Sequence, residues 1–359
     1  MNRLFSMKTE LSTPEIVSEI THSHACFSRA GRTRWWKRCG SKEDGFTYVD
    51  HQDNPLSEAA VERIRALVIP PAWTEVRVAP SSRNPLQVIG LDTSGRPQYR
   101  YHATFTEKRQ KLKYDKLTRF GEALPSLRRE TNAHLSDATC SKEQVLAVTL
   151  RLINDLYFRV GSEQSVERYE TFGITTLQNR HLTVTKDGTL IFDFIGKKHV
   201  HQRRLLTDEA LAEILTEIKA LRGNRLFQYR GEDGKTHPIL AREVNAYIKR
   251  LAGTEFSAKD FRTWGGTLHA AVTLAELGTA ETERQQAKNI VTSTKAVADW
   301  LGNTPAVCRA AYIHPCVFEW YEKGRVLSDF RSRQERRILK IQPECEPEEI
   351  SLLEMLRAG

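Results

Sequence analysis

From about residue 141 onward the apolar residues recur at helical spacing, whereas over residues 75–104 they fall in short strand-like runs. This change of period constrains the chain most. A stripe repeating every 3.6 residues does not settle as a strand, and a two-residue alternation does not settle as a helix. It calls for an α+β chain: a small β-rich N-terminal domain followed by a larger, mainly α-helical one. The helical candidates are Glu143–Arg159, Thr207–Leu221, Pro238–Leu251, Lys259–Leu277, Glu281–Leu301 and Pro305–Tyr312. One interruption alternates instead. Leu182–Thr185 and Leu190–Ile195 flank Lys186-Asp187-Gly188, whose Asp-Gly pair signals a β-hairpin turn, and Gly196-Lys197-Lys198 follows.

In the first part, Ser57 is placed to cap a helix over residues 57–68, which Ile69-Pro70-Pro71 stops. Strand candidates follow at Glu75–Val78, Leu86–Leu91 and Gln98–Thr104. The expected division is therefore a domain over 1–105 and a second over 106–359, the second opening with a basic linker helix at about 107–129 that holds eight Lys/Arg and three acids. Residues 1–21 read as a helical lead-in or a loose end, and the last 30 residues as a C-terminal helix or tail.

Lys+Arg exceed Asp+Glu by 54 − 45 = 9 in a chain of 359 residues, a balance that attracts polyanions. Residues 26–45 hold six Lys/Arg, two acids, and Trp35 and Trp36; this is either a nucleic-acid face or a solvated turn with one Trp in the core. The six cysteines show no C-x-x-C spacing, which excludes the common zinc modules and fits a reducing cytoplasm. No run is apolar enough for a membrane span or a signal peptide. There is no phosphate-binding G-x-x-x-x-G-K-[ST] loop and no G-x-G-x-x-G, so neither ATP nor a dinucleotide cofactor is expected. A basic protein that acts on phosphodiesters without a metal must neutralise the transition-state charge with its own cations, for which arginine is best suited.

Three segments could supply such a site. Leu156–Gly161 closes an apolar-striped helix and contains Arg159. Lys259–Gly266 opens another, with Arg262 expected in its first turn beside free N–H groups that favour an anion. In residues 301–315, Gly302 can end one helix, Thr304 can cap the next with Pro305 at its first position, and Tyr312 falls near its end before His314-Pro315.

Together and in this order, these segments resemble the type IB DNA topoisomerases, specifically the compact poxvirus and bacterial branch. The resemblance runs from about Gly31 to Gly324. It is carried by VIPPAW (68–73), GRPQYRYH (95–102), FRVG (158–161), YETFGITTLQNRH (169–181), FIGK (194–197), KDFRTWGGT (259–267) and LGNTPAVCRAAYIHP (301–315). It implies two domains that clamp around duplex DNA, with Tyr312 as nucleophile, Arg159 and Arg262 as the two catalytic arginines, and Lys197 as the catalytic lysine of the hairpin. Lys259 matches the family's active-site lysine three residues before the second arginine. Gln98, Tyr99 and Tyr101 match its major-groove contacts. Many members have His nine residues before the nucleophile, where this chain has Asn303; an amide still donates a hydrogen bond to phosphate but carries no charge. Lys198 directly follows Lys197, and Lys197 is taken as the general acid because it follows the strand end.

The implied activity is relaxation of supercoiled DNA, independent of ATP and metal. Tyr312 forms a 3′-phosphotyrosyl bond and expels a 5′-hydroxyl strand, which later attacks back. The expected partner is duplex DNA alone, for a monomer at the nucleoid in a bacterial cytoplasm. Two other readings are a tyrosine site-specific recombinase and a DNA-binding protein without catalysis. Recombinases usually carry His where Lys259 stands and lack the VIPPAW and GRPQYRYH segments. In a mere binder Tyr312 would only be packed. Plasmid relaxation separates all three.

Overall fold

The computed structural model describes Arg32 and residues 34–359. The lead-in expected over 1–21 lies outside them. The chain forms two compact units, divided between Leu112 and Lys113.

The first unit is an antiparallel sheet built from β1 (Trp36–Ser41), β2 (Gly45–Val49), β3 (Thr74–Val78), β4 (Leu86–Leu91) and β5 (Pro97–Tyr101), in the spatial order β2-β1-β3-β4-β5. Helix α1 (Glu58–Ala66) packs on it. Ser57 accepts from the Ala60 N–H, and Ile64 is buried against Val76, Val78 and Val88. Burying each such side chain contributes about 2 kcal/mol. Sequence patterning misses β1 because Lys37 and Arg38 follow its one aromatic residue without alternation, and β2 because it is only five residues long. One of those cations is structural. Arg38 donates to the carbonyls of Pro70 (3.2 Å), Pro71 (3.4 Å) and Trp73, and stacks 4.1 Å from the Phe46 ring centroid. Trp35 is buried, so the basic segment gives part of itself to the core. The strand expected over Gln98–Thr104 stops at Tyr101, because the His102 carbonyl and ring already cap the next helix by accepting from the N–H groups of Phe105, Thr106 and Thr104.

That helix, α2 (Ala103–Leu135), is longer than the expected linker, and the division between the units falls inside it. Beyond the division it turns Tyr114, Leu117, Phe120, Leu124 and Leu127 inward at helical spacing, so it is a core helix there. The second unit continues with α3 (Lys142–Leu156), α4 (Glu163–Tyr169), β6 (Leu182–Val184), β7 (Thr189–Gly196) and β8 (Val200–Thr207). Then come α5 (Glu209–Ala220), the small hairpin β9 (Gln228–Arg230) and β10 (Thr236–Pro238), and α6 (Ala241–Ala252). The chain ends with α7 (Ala258–Leu277), α8 (Glu283–Leu301), α9 (Pro305–Ala311), α10 (Pro315–Glu322), α11 (Glu335–Ile341) and α12 (Pro347–Ala358). The expected hairpin is a three-stranded meander, β6-β7-β8. Its last strand, VHQRRLLT, is too polar to read as one.

One core runs through this unit. Phe120 meets Phe261 and Trp264 edge-on, at 4.9 and 6.4 Å between centroids. The C-terminal segment is no loose tail, since α12 buries Leu352, Met355 and Leu356. It also sends Glu349 to a two-pronged pair with Arg128 (2.6 and 2.8 Å), while Trp264 Nε1 donates to the same carboxylate at 2.9 Å. No helix of the described residues is long and apolar enough to cross a membrane.

Candidate active site

Four of the expected residues meet at the ends of α3, α7, α8 and α9. Helix α3 starts where Ser141 accepts from the Gln144 N–H and stops where Tyr157 turns left-handed (φ 56°). A non-glycine residue holds that conformation only when its surroundings fix it. Here the Tyr157 ring lies 4.3 Å from Trp300, and a side chain at Gly265 would collide with it at 2.1 Å. The turn releases Phe158 into the core and brings Arg159 to the loop between α8 and α9.

That loop forms as its residues dictate. Gly302 ends α8 in the left-handed region (φ 60°), and the Asn303 N–H closes back on the Ala298 carbonyl at 2.9 Å. Thr304 caps α9, and Pro305 takes its first position. Arg159 donates to the Gly302 carbonyl (3.0 Å) and to Asn303 Oδ1 (2.6 Å). Asn303 Nδ2 is then buried with no acceptor among the described residues. Tyr312 ends α9, its N–H bonded to the Cys308 carbonyl at 2.9 Å.

Arg262 lies past the first turn of α7, because the helix begins at Ala258 and Asp260 caps its N-terminus by accepting from the Ser257 N–H. The expected anion site on free N–H groups is therefore replaced by a buried side chain. Arg262 is 5% exposed and donates to the carbonyls of Tyr157 (2.6 Å) and Leu301 (2.8 Å). Its guanidinium carbon stands 5.3 Å from the centre of the Tyr312 ring, and its Nε has no partner among the described residues.

A further cation joins them. Arg204, on β8, lines one small cavity with Arg159, Arg262, Gly196 and Gln202, and donates to the Trp300 carbonyl and to Gln202 Oε1 (3.2 Å). Among the described residues none of the three guanidiniums is paired with a carboxylate. Burial lowers all three from the usual arginine value. Arg262 is pushed down to about 10, with Arg159 adding to the burial and Tyr312 opposing it. Concentrated positive charge held only by neutral acceptors is costly unless an anion arrives. Arg204 was absent from the sequence reading. Its signal was the pairing of Phe192 with Arg204 and Phe194 with Gln202, which puts both polar residues on the inward face of the meander.

The lysines are placed differently. Lys197 and Lys198 form the exposed turn between β7 and β8, with Lys198 left-handed (φ 64°), and Gly196 just before them lines the arginine cavity. Lys259 is exposed in the first turn of α7. In the first unit, Tyr99 and Tyr101 are each 43% exposed on one face of β5, with ring centroids 6.2 Å apart. Gln98 falls on the opposite face, and its amide donates to Asp92 at 2.9 Å.

Comparison with known proteins bears on this arrangement. Residues 102–332 match the family model of the eukaryotic DNA topoisomerase I catalytic core, and residues 45–92 that of the bacterial DNA topoisomerase IB N-terminal domain. The chain is 31% identical over 289 residues to the DNA topoisomerase 1B of Acanthamoeba polyphaga mimivirus, covering 78% of this chain and 86% of that protein. It is 24% identical over 293 residues to the DNA topoisomerase 1 of Rabbit fibroma virus (strain Kasza), covering 77% and 88%. It is 22% identical over 286 residues to the DNA topoisomerase 1B of Vaccinia virus (strain Copenhagen), covering 77% and 88%. With a catalytic-core match over more than half of its length and a mimivirus relative 31% identical over 78% of it, the chain belongs to the type IB DNA topoisomerases.

Proposed function

We propose that this enzyme relaxes supercoiled duplex DNA by breaking and rejoining one strand through Tyr312. The reading rests on one observation: the Tyr312 ring lies 5.3 Å from the buried Arg262 guanidinium, whose Nε, like Asn303 Nδ2 nearby, has no partner among the described residues. The phenol oxygen of Tyr312 attacks a backbone phosphorus, the P–O5′ bond breaks, and a 3′-phosphotyrosyl ester forms. Arg159 and Arg262 bind the non-bridging oxygens, where negative charge grows in the crowded transition state. The phenolic proton passes to solvent as the new P–O bond forms. Asn303 Nδ2 donates to a phosphate oxygen. Lys197 swings in from its exposed turn and protonates the departing 5′-oxygen, and Lys259 adds a cation to the approach of the strand.

One ester replaces another of similar energy, so the step needs neither ATP nor an external acid. The freed end rotates, torsional strain is released, and the 5′-hydroxyl reverses the chemistry. The first unit acts as the DNA-gripping domain, with Tyr99 and Tyr101 against base edges; Gln98 joins them once its amide leaves Asp92. The bacterial-type N-terminal match supports a bacterial origin, and the proposed setting is the nucleoid of the bacterial cytoplasm, with the protein working as a monomer.

Replacing Tyr312 by Phe tests the assignment. Tyr312→Phe is expected to keep its affinity for duplex and to lose relaxation of supercoiled plasmid by about 10³-fold or more. A variant that still relaxes plasmid would move the nucleophile elsewhere.

A further inference from the structure

We infer that Lys113 and Tyr114, adjacent on α2, are positioning residues for the nucleophile: they hold the carbonyl groups on either side of Tyr312. Lys113 Nζ donates to the Ala311 carbonyl at 2.5 Å, and Tyr114 Oη donates to the Ile313 carbonyl at 3.0 Å. The Tyr312 carbonyl between them lies 3.3 Å from Thr267 Oγ1, whose single proton is shared with the Thr263 carbonyl at 2.8 Å. Thr267 Oγ1 itself accepts from the His314 N–H at 3.1 Å. On that side α7 leaves no slack, because a side-chain carbon at Gly266 would meet the Tyr312 carbonyl at 2.7 Å.

The need for these bonds follows from where Tyr312 sits. Helix α9 has seven residues, and its last carbonyls have no partner within it. A short helix end frays unless something else binds those oxygens, and a cation suits them because the helix dipole is negative there. Lys113 supplies that cation at the residue before the nucleophile. It is held in place by its own surroundings, with Nζ 4.5 Å from the centre of the Tyr114 ring. The Tyr114 ring in turn meets the His314 ring edge-on at 4.5 Å. Burial and nearby Lys259 push Lys113 down to about 8, with Asp260 opposing. A lysine kept at this cost, bonded to a carbonyl and not to a carboxylate, serves the backbone of the turn.

The phenol oxygen must stand in line with the bond it breaks, and a displacement of about 1 Å costs roughly 10²-fold in rate. The Tyr312 backbone swings only if the bonds before and after it both yield. The inference rests on Tyr312 being the nucleophile, and the test keeps the two apart. Single-turnover formation of the covalent adduct is measured on a suicide duplex at saturating protein, alongside the dissociation constant for the same duplex. Wild-type protein that forms no adduct, or forms it on another residue, overturns the reading of Tyr312 itself.

Given a wild-type adduct on Tyr312, Lys113→Met is expected to slow its formation by about 10- to 100-fold with affinity within about 2-fold. Lys113→Arg should recover most of the rate, because a guanidinium also donates to the Ala311 carbonyl. Tyr114→Phe, which keeps the ring and its packing, should slow the step several-fold. A Lys113→Met variant that cleaves at the wild-type rate overturns the inference. So does one that loses affinity as much as rate, since Lys113 would then be a DNA contact. If Lys113→Met does not fold, an unslowed Tyr114→Phe rate overturns it alone.

Discussion

His314 stands two residues after Tyr312 and invites a role it does not fill. Its Nδ1 caps α10 by accepting from the Cys316 N–H at 3.1 Å. Burial, with Lys113 adding and Asp115 opposing, pushes it from 6.5 down to about 4, so it is neutral at physiological pH and brings no charge to a phosphate. The sign of its effect on stability is fixed. Between pH 6.5 and 4 the unfolded chain binds a proton that the folded chain refuses, so stability falls as pH drops through that window and levels off below it. His314→Asn keeps a capping acceptor and removes the titration. Urea melts at pH 6.5 and 4.5 should show a smaller loss for the variant than for the wild type, and equal losses would place the acid sensitivity elsewhere. Of the site residues, those at helix ends were legible because Gly302, Thr304 and Pro305 punctuate the chain locally. Lys113 was not. In sequence it is one of eight basic residues in 107–129, and only a carbonyl 198 positions away sets it apart.

At the scale of elements, α7 joins the site to the core. It places Arg262 beside Tyr312, while Gly265 and Gly266 admit the Tyr157 ring and the Tyr312 backbone. In an ordinary helix, replacing Gly by Ala gains about 1 kcal/mol. At Gly266 the new carbon would lie 2.7 Å from a backbone oxygen that has no room to retreat. Gly266→Ala is therefore expected to destabilise by about 1–3 kcal/mol in urea melts and to slow adduct formation at least tenfold. A variant with wild-type stability and rate would mean that α7 does not fix the Tyr312 backbone. The meander was half legible for a related reason. Asp187-Gly188 announces β6 and β7, but the inward polar residues of β8 disguise a strand whose task is to bring Arg204 to the cavity.

For the molecule as a whole, the helix-rich second part and the β-rich first part follow from hydrophobic period alone, which is why the fold class was readable. The role of the last helix was not, because mixed charge hides a buried pair. Arg128 and Glu349 have side chains 13% and 7% exposed, and the carboxylate also receives Trp264 from α7. Removing one partner leaves an uncompensated buried charge. Glu349→Ala is expected to cost about 3–5 kcal/mol in chemical denaturation, and a loss below about 1 kcal/mol would mean that water already reaches the pair. The three guanidiniums at the cavity present the opposite case. Carbonyl dipoles hold these like charges side by side, with no carboxylate paired to them among the described residues. On the proposed function their counter-charge is the phosphate of the incoming strand, so binding relieves a repulsion set up when the chain folded.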